Sequence, residues 1–160
     1  MVTMTASPQQ PEIALACPFF LPQQRFENGP WPHPSRLPLG GGWTGSCTAP
    51  GHEGDIPELV VLQDGCNLGY ATCCSRRPSE RRWDAIRFQV TRSGERRLLL
   101  SYVCERNHKP SDYGTLEYDV ALPGWIVSHA DSRIQKMAEC HIESYILRKQ
   151  STLPLQPELI

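Results

Sequence analysis

Apolar and polar residues alternate regularly in only one half of this chain. From Arg82 onward, Ile86, Phe88 and Val90 alternate with Arg87, Gln89 and Thr91, the two-residue period of a strand buried on one face. Ser93-Gly94-Glu95 predicts a hairpin turn. Arg97 to Cys104 reads as a second strand, apolar on both faces around Leu98–Leu100 and therefore central. Asn107 to Tyr113 reads as loop. Leu116, Tyr118, Val120 and Leu122 then alternate with Glu117, Asp119 and Ala121 as a third strand, ended by Pro123-Gly124. Ile134, Met137, Ala138, His141, Ile142 and Tyr145 recur at helical spacing, which predicts a helix from Ser128 or Asp131 to Lys149.

The first half lacks such a pattern. Ten of the fifteen prolines precede Glu58, and seven of the twelve glycines fall between Gly29 and Gly54. Proline has no backbone donor and a fixed φ, so Gly29-Pro30-Trp31-Pro32-His33-Pro34 is predicted as coil. Asp55-Ile56-Pro57-Glu58 reads as a helix start, with Asp55 as N-cap, leading to a short helix that presents Cys66. The expected fold is α+β: a Cys-rich coil with a short helix, then a three-stranded antiparallel sheet packed by a C-terminal helix. Residues 1–12 read as a polar tail, 13–75 as the Cys-rich segment, 76–150 as the β-β-β-α segment and 151–160 as a second tail, with 13–150 as one compact domain.

The 160 residues carry a net charge of −1, so the molecule as a whole is no polyanion binder. The charge is unevenly spread. Residues 76–97 hold eight arginines against three acids, net +5. Within that stretch Arg76, Arg77, Arg81 and Arg82 are candidate anion contacts, for nucleic acid or an acidic protein, and a solvated strand face plus linker is the plainer reading. No segment approaches the roughly 18 apolar residues of a membrane span. No basic start and apolar core mark a signal peptide. The expectation is a cytoplasmic protein without membrane contact, in which seven cysteines, an odd number, do not serve as a disulfide framework.

Cys17, Cys47, Cys66 and Cys74 fall in the half poorest in apolar patterning. A segment that buries little apolar surface needs another source of order, and a thiolate-bound metal supplies one. Four thiolates complete a tetrahedral zinc site or a [4Fe–4S] cluster. Ligands scattered through coil, without a C-x2-C knuckle, favour the cluster, with zinc as the alternative and ordinary buried thiols as the third reading. Cys73 competes with Cys74 for the fourth place, and His52 and His33 are substitute ligands or supporting donors. Cys104 and His108 form a possible second site. With Glu105 or Asp112 they also offer the residue types of a thiol enzyme, but no catalytic signature accompanies them. A cluster would imply a redox partner protein.

Cys17-Pro18, Pro34-Ser35, Gly45-Ser46-Cys47, a helix start around Ile56, and Cys66-Asn67-Leu68-Gly69-Tyr70 leading to Cys74 resemble a four-cysteine module of poorly characterised bacterial proteins. The resemblance covers residues 17–75. It implies Cys74 as the fourth ligand ahead of Cys73. This chain departs from the module at Asn67, where Leu is usual, and at Ser75, where Pro often follows the last Cys.

Overall fold

A computed structural model describes residues 15–26, 31, 37–69 and 74–151. The C-terminal half is a four-stranded antiparallel meander in the order β3-β4-β5-β6. Its strands are β3 (Ala85–Ser93), β4 (Arg97–Arg106), β5 (Lys109–Asp119) and β6 (Gly124–Val127). The predicted alternation is realised in β3, where Ile86 and Phe88 join the core and Arg87 and Gln89 do not. β4 lies between β3 and β5, as its two apolar faces require.

The sheet has one strand more than the three expected, and two boundaries differ. Asn107 and His108 both adopt left-handed backbone, φ 52° and 61°, and close a two-residue hairpin. Strand β5 therefore begins at Lys109, inside the stretch read as loop. It ends at Asp119, whose carboxylate accepts the N–H groups of Ala121 and Leu122 and turns the chain. The turn leads into β6, a short edge strand whose four residues are too few to show a period.

Helix α2 (Ser132–Ser151) follows the predicted stripe. Ile134, Met137, Ala138 and Ile142 are buried. Its His141 ring stands 5.9 Å from the Phe88 ring of β3. His141 Nδ1 lies 2.7 Å from the Pro38 carbonyl oxygen, and Ser144 Oγ–H donates to Leu39 O at 3.0 Å. The helix thus clamps the N-terminal half onto the sheet.

The Cys-rich half is not all coil. Strands β1 (Phe20–Arg25) and β2 (Trp43–Cys47) form a separate antiparallel ribbon. Pro22 is tolerated because the register shifts between Pro22 and Gln24, a bulge that spares the missing donor. Gly45 is required opposite it, since a Cβ there would run into the Leu21 carbonyl. The short helix α1 (Leu59–Val61) starts three residues later than an Asp55 N-cap implies, with Glu58 at its N-cap and no side-chain cap. It passes directly into a π-helical turn, Leu62–Cys66. The two halves share one buried core that runs from Ala16 and Phe20 through Leu98 and Leu100 to Ile142. A backbone bridge between Ala16 and Ile86 ties the segment before β1 to the edge of β3. No helix among the described residues is long and apolar enough to cross a membrane.

Candidate metal centre

Each of the four cysteines sits at the end of a locally fixed element. Cys17 precedes β1, and its N–H donates to the Cys66 carbonyl at 3.0 Å. Cys47 ends β2, its N–H donating to Asp55 O at 2.8 Å and its carbonyl accepting from Gly54 N–H at 2.9 Å. Cys66 closes the π-helical turn. Such turns are rare and often mark functional sites. Cys74 opens a turn in which Arg77 N–H donates to its carbonyl at 3.1 Å.

Asn67 holds two of these elements together. It is fully buried. Its Oδ1 accepts the Trp43 N–H at 3.1 Å, and its Nδ2 donates to Trp43 O at 3.0 Å and Leu62 O at 2.8 Å. The side chain thereby locks β2, which carries Cys47, to the turn that carries Cys66.

All four cysteines line one cavity, with about 300 Å³ of empty space including its open mouth. Phe19, Phe20, Pro57 and Val61 form apolar wall, and Arg76 and Arg77 form the charged wall. The enclosed part of the cavity is small, ≈10 Å³, about room for one water. No group of three or more His, Cys, Asp or Glu among the described residues is arranged to hold a metal ion. The four cysteines thus share one cavity without forming a ready-made ion site among the described residues.

The electrostatics of the cavity are those of closely set thiols. Burial pushes the Cys17 thiol up against the pull of the Arg77 guanidinium, and neighbouring Cys47 and Cys74 push it further. Burial, with Cys17, Cys74 and Cys47 close by, raises Cys66 to about 12, while Arg76 opposes the rise. The Ala49 N–H donates to Cys47 Sγ at 3.4 Å, a bond that strengthens when the sulfur is a thiolate. The donor set fits a thiolate-ligated centre: four soft donors, two cations to balance their charge, and an apolar wall against water.

The other candidates lie elsewhere. Cys73 and His33 fall outside the described residues. His52 does not line the cavity; it pairs with Asp55 at 3.1 Å on the exposed loop. Cys104 is fully buried in β4, where burial and then Asp112 raise its thiol to about 12, the opposite of an activated nucleophile. His108 occupies the exposed tip of the β4–β5 turn. Cys140 faces the core from α2 and is raised to about 12 by burial. The six described cysteines are free thiols.

Within residues 76–97, five of the eight arginines pair with carboxylates. Arg81 pairs with Asp84, Arg96 with Asp119 and Arg97 with Glu117. Arg82 lies over the Trp83 ring, 4.6 Å from its centroid. Arg76 reaches Asp55 at 3.8 Å. The sequence marked Arg77 as a candidate anion contact and Asn67 as a departure from Leu, without indicating that Arg77 lines the cysteine cavity or that Asn67 ties the elements carrying Cys47 and Cys66. No known protein family, no curated protein and no solved structure matches the chain.

Proposed function

We propose that this protein holds a [4Fe–4S] cluster through Cys17, Cys47, Cys66 and Cys74 and serves as a small electron-transfer or redox-sensing protein of the cytoplasm. The observation that carries the reading is the convergence of four cysteines, drawn from segments up to 57 residues apart in sequence, on one cavity. Ligands drawn from four separate segments, without a C-x2-C knuckle, favour a cluster over zinc, and the apolar wall of Phe19, Phe20 and Val61 suits a centre that must be kept from water.

When bound, the cluster supplies one-electron exchange at a potential set by charge, hydrogen bonds and exposure. The chain's own residues do the rest. Cys17 and Cys66 are held protonated by burial and release protons on loading. The Ala49 N–H steadies Cys47 Sγ. Asn67 fixes the distance between the Cys47 and Cys66 backbones. The test is iron, inorganic sulfide and zinc content of protein purified without oxygen. The reading expects iron and sulfide in equal amounts, lost in Cys47→Ser; metal-free wild-type protein would refute it.

A second reading keeps the same ligands around zinc as a staple. It draws on an open cleft lined by Arg82, Arg106 and Asn107, where two arginines face solvent beside Glu80. There the protein would be an interaction module for nucleic acid or an acidic protein. Stoichiometric zinc together with salt-sensitive binding to generic RNA or DNA would support it, and no binding at low salt would remove it.

A further inference from the structure

Arg77 is placed unusually for an arginine in a lean surface-rich chain. One terminal nitrogen donates to Asp84 O at 3.1 Å and the other to Gly69 O, so both ends of the fork are held by backbone carbonyls. Its Nε is buried and finds no hydrogen-bond partner among the described residues. No carboxylate among those residues forms an ion pair with it. A guanidinium stays charged in any protein. A buried donor left without an acceptor costs about 1–3 kcal/mol, more for a charged group. The same side chain lines the cysteine cavity and acts electrostatically on the Cys17 thiol. Arg76 differs, since Asp55 already balances part of its charge.

We propose that Arg77 is the positioning and charge-compensating residue of the thiolate centre, its fixed positive charge set beside the cysteine sulfurs. The proposal rests on the metal-centre reading above. Four thiolates around Zn²⁺ or [4Fe–4S]²⁺ leave a net charge of −2, and among the described lining residues the cysteines are the only anion-forming groups. Against burial, the Arg77 charge also helps hold the Asp84 carboxyl low, but no ion pair joins the two, which leaves the guanidinium charge to balance the sulfurs. A fixed cation beside the centre stabilises the reduced state more than the oxidised one, because reduction adds a negative charge. Arg77 therefore raises the reduction potential, and its backbone anchors hold it where it does so.

The test compares wild type, Arg77→Gln and Arg77→Lys, all isolated without oxygen, by iron content and by reduction potential of the bound cluster. Arg77→Gln is expected to keep iron but to favour the oxidised state about tenfold, a potential lower by about 59 mV for one electron. Arg77→Lys, which keeps the charge and loses the fork, should recover most of that shift. If the protein holds zinc, chelator competition should show about tenfold weaker retention in Arg77→Gln, with Lys again closer to wild type. Wild-type potential or affinity in Arg77→Gln would overturn the proposal and leave the metal reading intact. If Arg77→Gln fails to fold, Arg77→Lys decides, and a lysine variant that loses metal outright would make Arg77 a scaffold residue only. Wild-type protein without metal would defeat both readings.

Discussion

Asn67→Ala removes three buried hydrogen bonds at once, and its cost can be worked from the contacts. The Trp43 N–H loses its acceptor, which costs about 1–3 kcal/mol when the group stays buried. The Trp43 carbonyl loses a donor. The Leu62 carbonyl loses the side-chain bond but keeps the one from the Asn67 N–H at 2.9 Å, so its loss is partial. Together these give about 3–5 kcal/mol, a fifth or more of the roughly 5–15 kcal/mol of a typical domain. Asn67→Leu fills the same space without the polar atoms and should lose about 3 kcal/mol, isolating the hydrogen-bond share. The assay is urea unfolding of metal-free protein, where the midpoint should fall with an unchanged slope. Hydrogen exchange at the Trp43 amide should accelerate in step. A loss below about 1 kcal/mol in Asn67→Leu would refute the claim that Asn67 locks β2 to the turn carrying Cys66.

Other consequences follow from the same geometry. Cys47→Ser should abolish metal retention, whereas Cys140→Ser, far from the cavity in the α2 core, should cost stability and leave metal content unchanged; equal retention in both variants would contradict the ligand set. His141 is held below its usual pKa by burial, against the Pro38 carbonyl that favours its proton. The unfolded chain binds that proton first as pH falls, so the stabilisation is complete above about pH 6.5 and is lost below it. Denaturant midpoints between pH 7.5 and 5 should decline in wild type and flatten in His141→Gln; an unchanged decline would assign it to other groups. For Asp84, burial alone would raise the carboxyl, but the Asn107 N–H and Arg81 hold it below the usual carboxylate range. A further loss of stability is therefore expected as pH falls below about 3.8, absent in Asp84→Asn. Gly45→Ala drives a Cβ into the Leu21 carbonyl, backbone that cannot turn aside, and should cost about 1–3 kcal/mol by thermal unfolding.

Where one interaction type dominates, the fold was legible in the sequence. β3 and α2 bury single apolar faces, and Ile86, Phe88, Ile134 and Met137 lie where their periods put them. The ribbon β1–β2 was not legible, because Pro22 and Gly45 are poor strand residues one at a time and compatible only as a pair across a bulge. The start of β5 was hidden for a related reason: Asn107 and His108 read as loop, yet both take the left-handed φ of a tight hairpin turn. At the site, four cysteines in the half poorest in apolar patterning raised the expectation of a shared centre, and in the structure all four line one cavity. Arg77 was legible only as a candidate anion contact and Asn67 only as a departure from Leu. Their roles depend on partners at Trp43, Leu62, Gly69 and Asp84, which no local pattern connects.

X-ray absorption at the metal edge of anaerobically isolated protein reads the ligand shell itself. The account predicts an all-sulfur shell around iron, with neighbouring iron atoms at cubane distance. A shell containing nitrogen or oxygen ligands, or no metal edge above background, would contradict it.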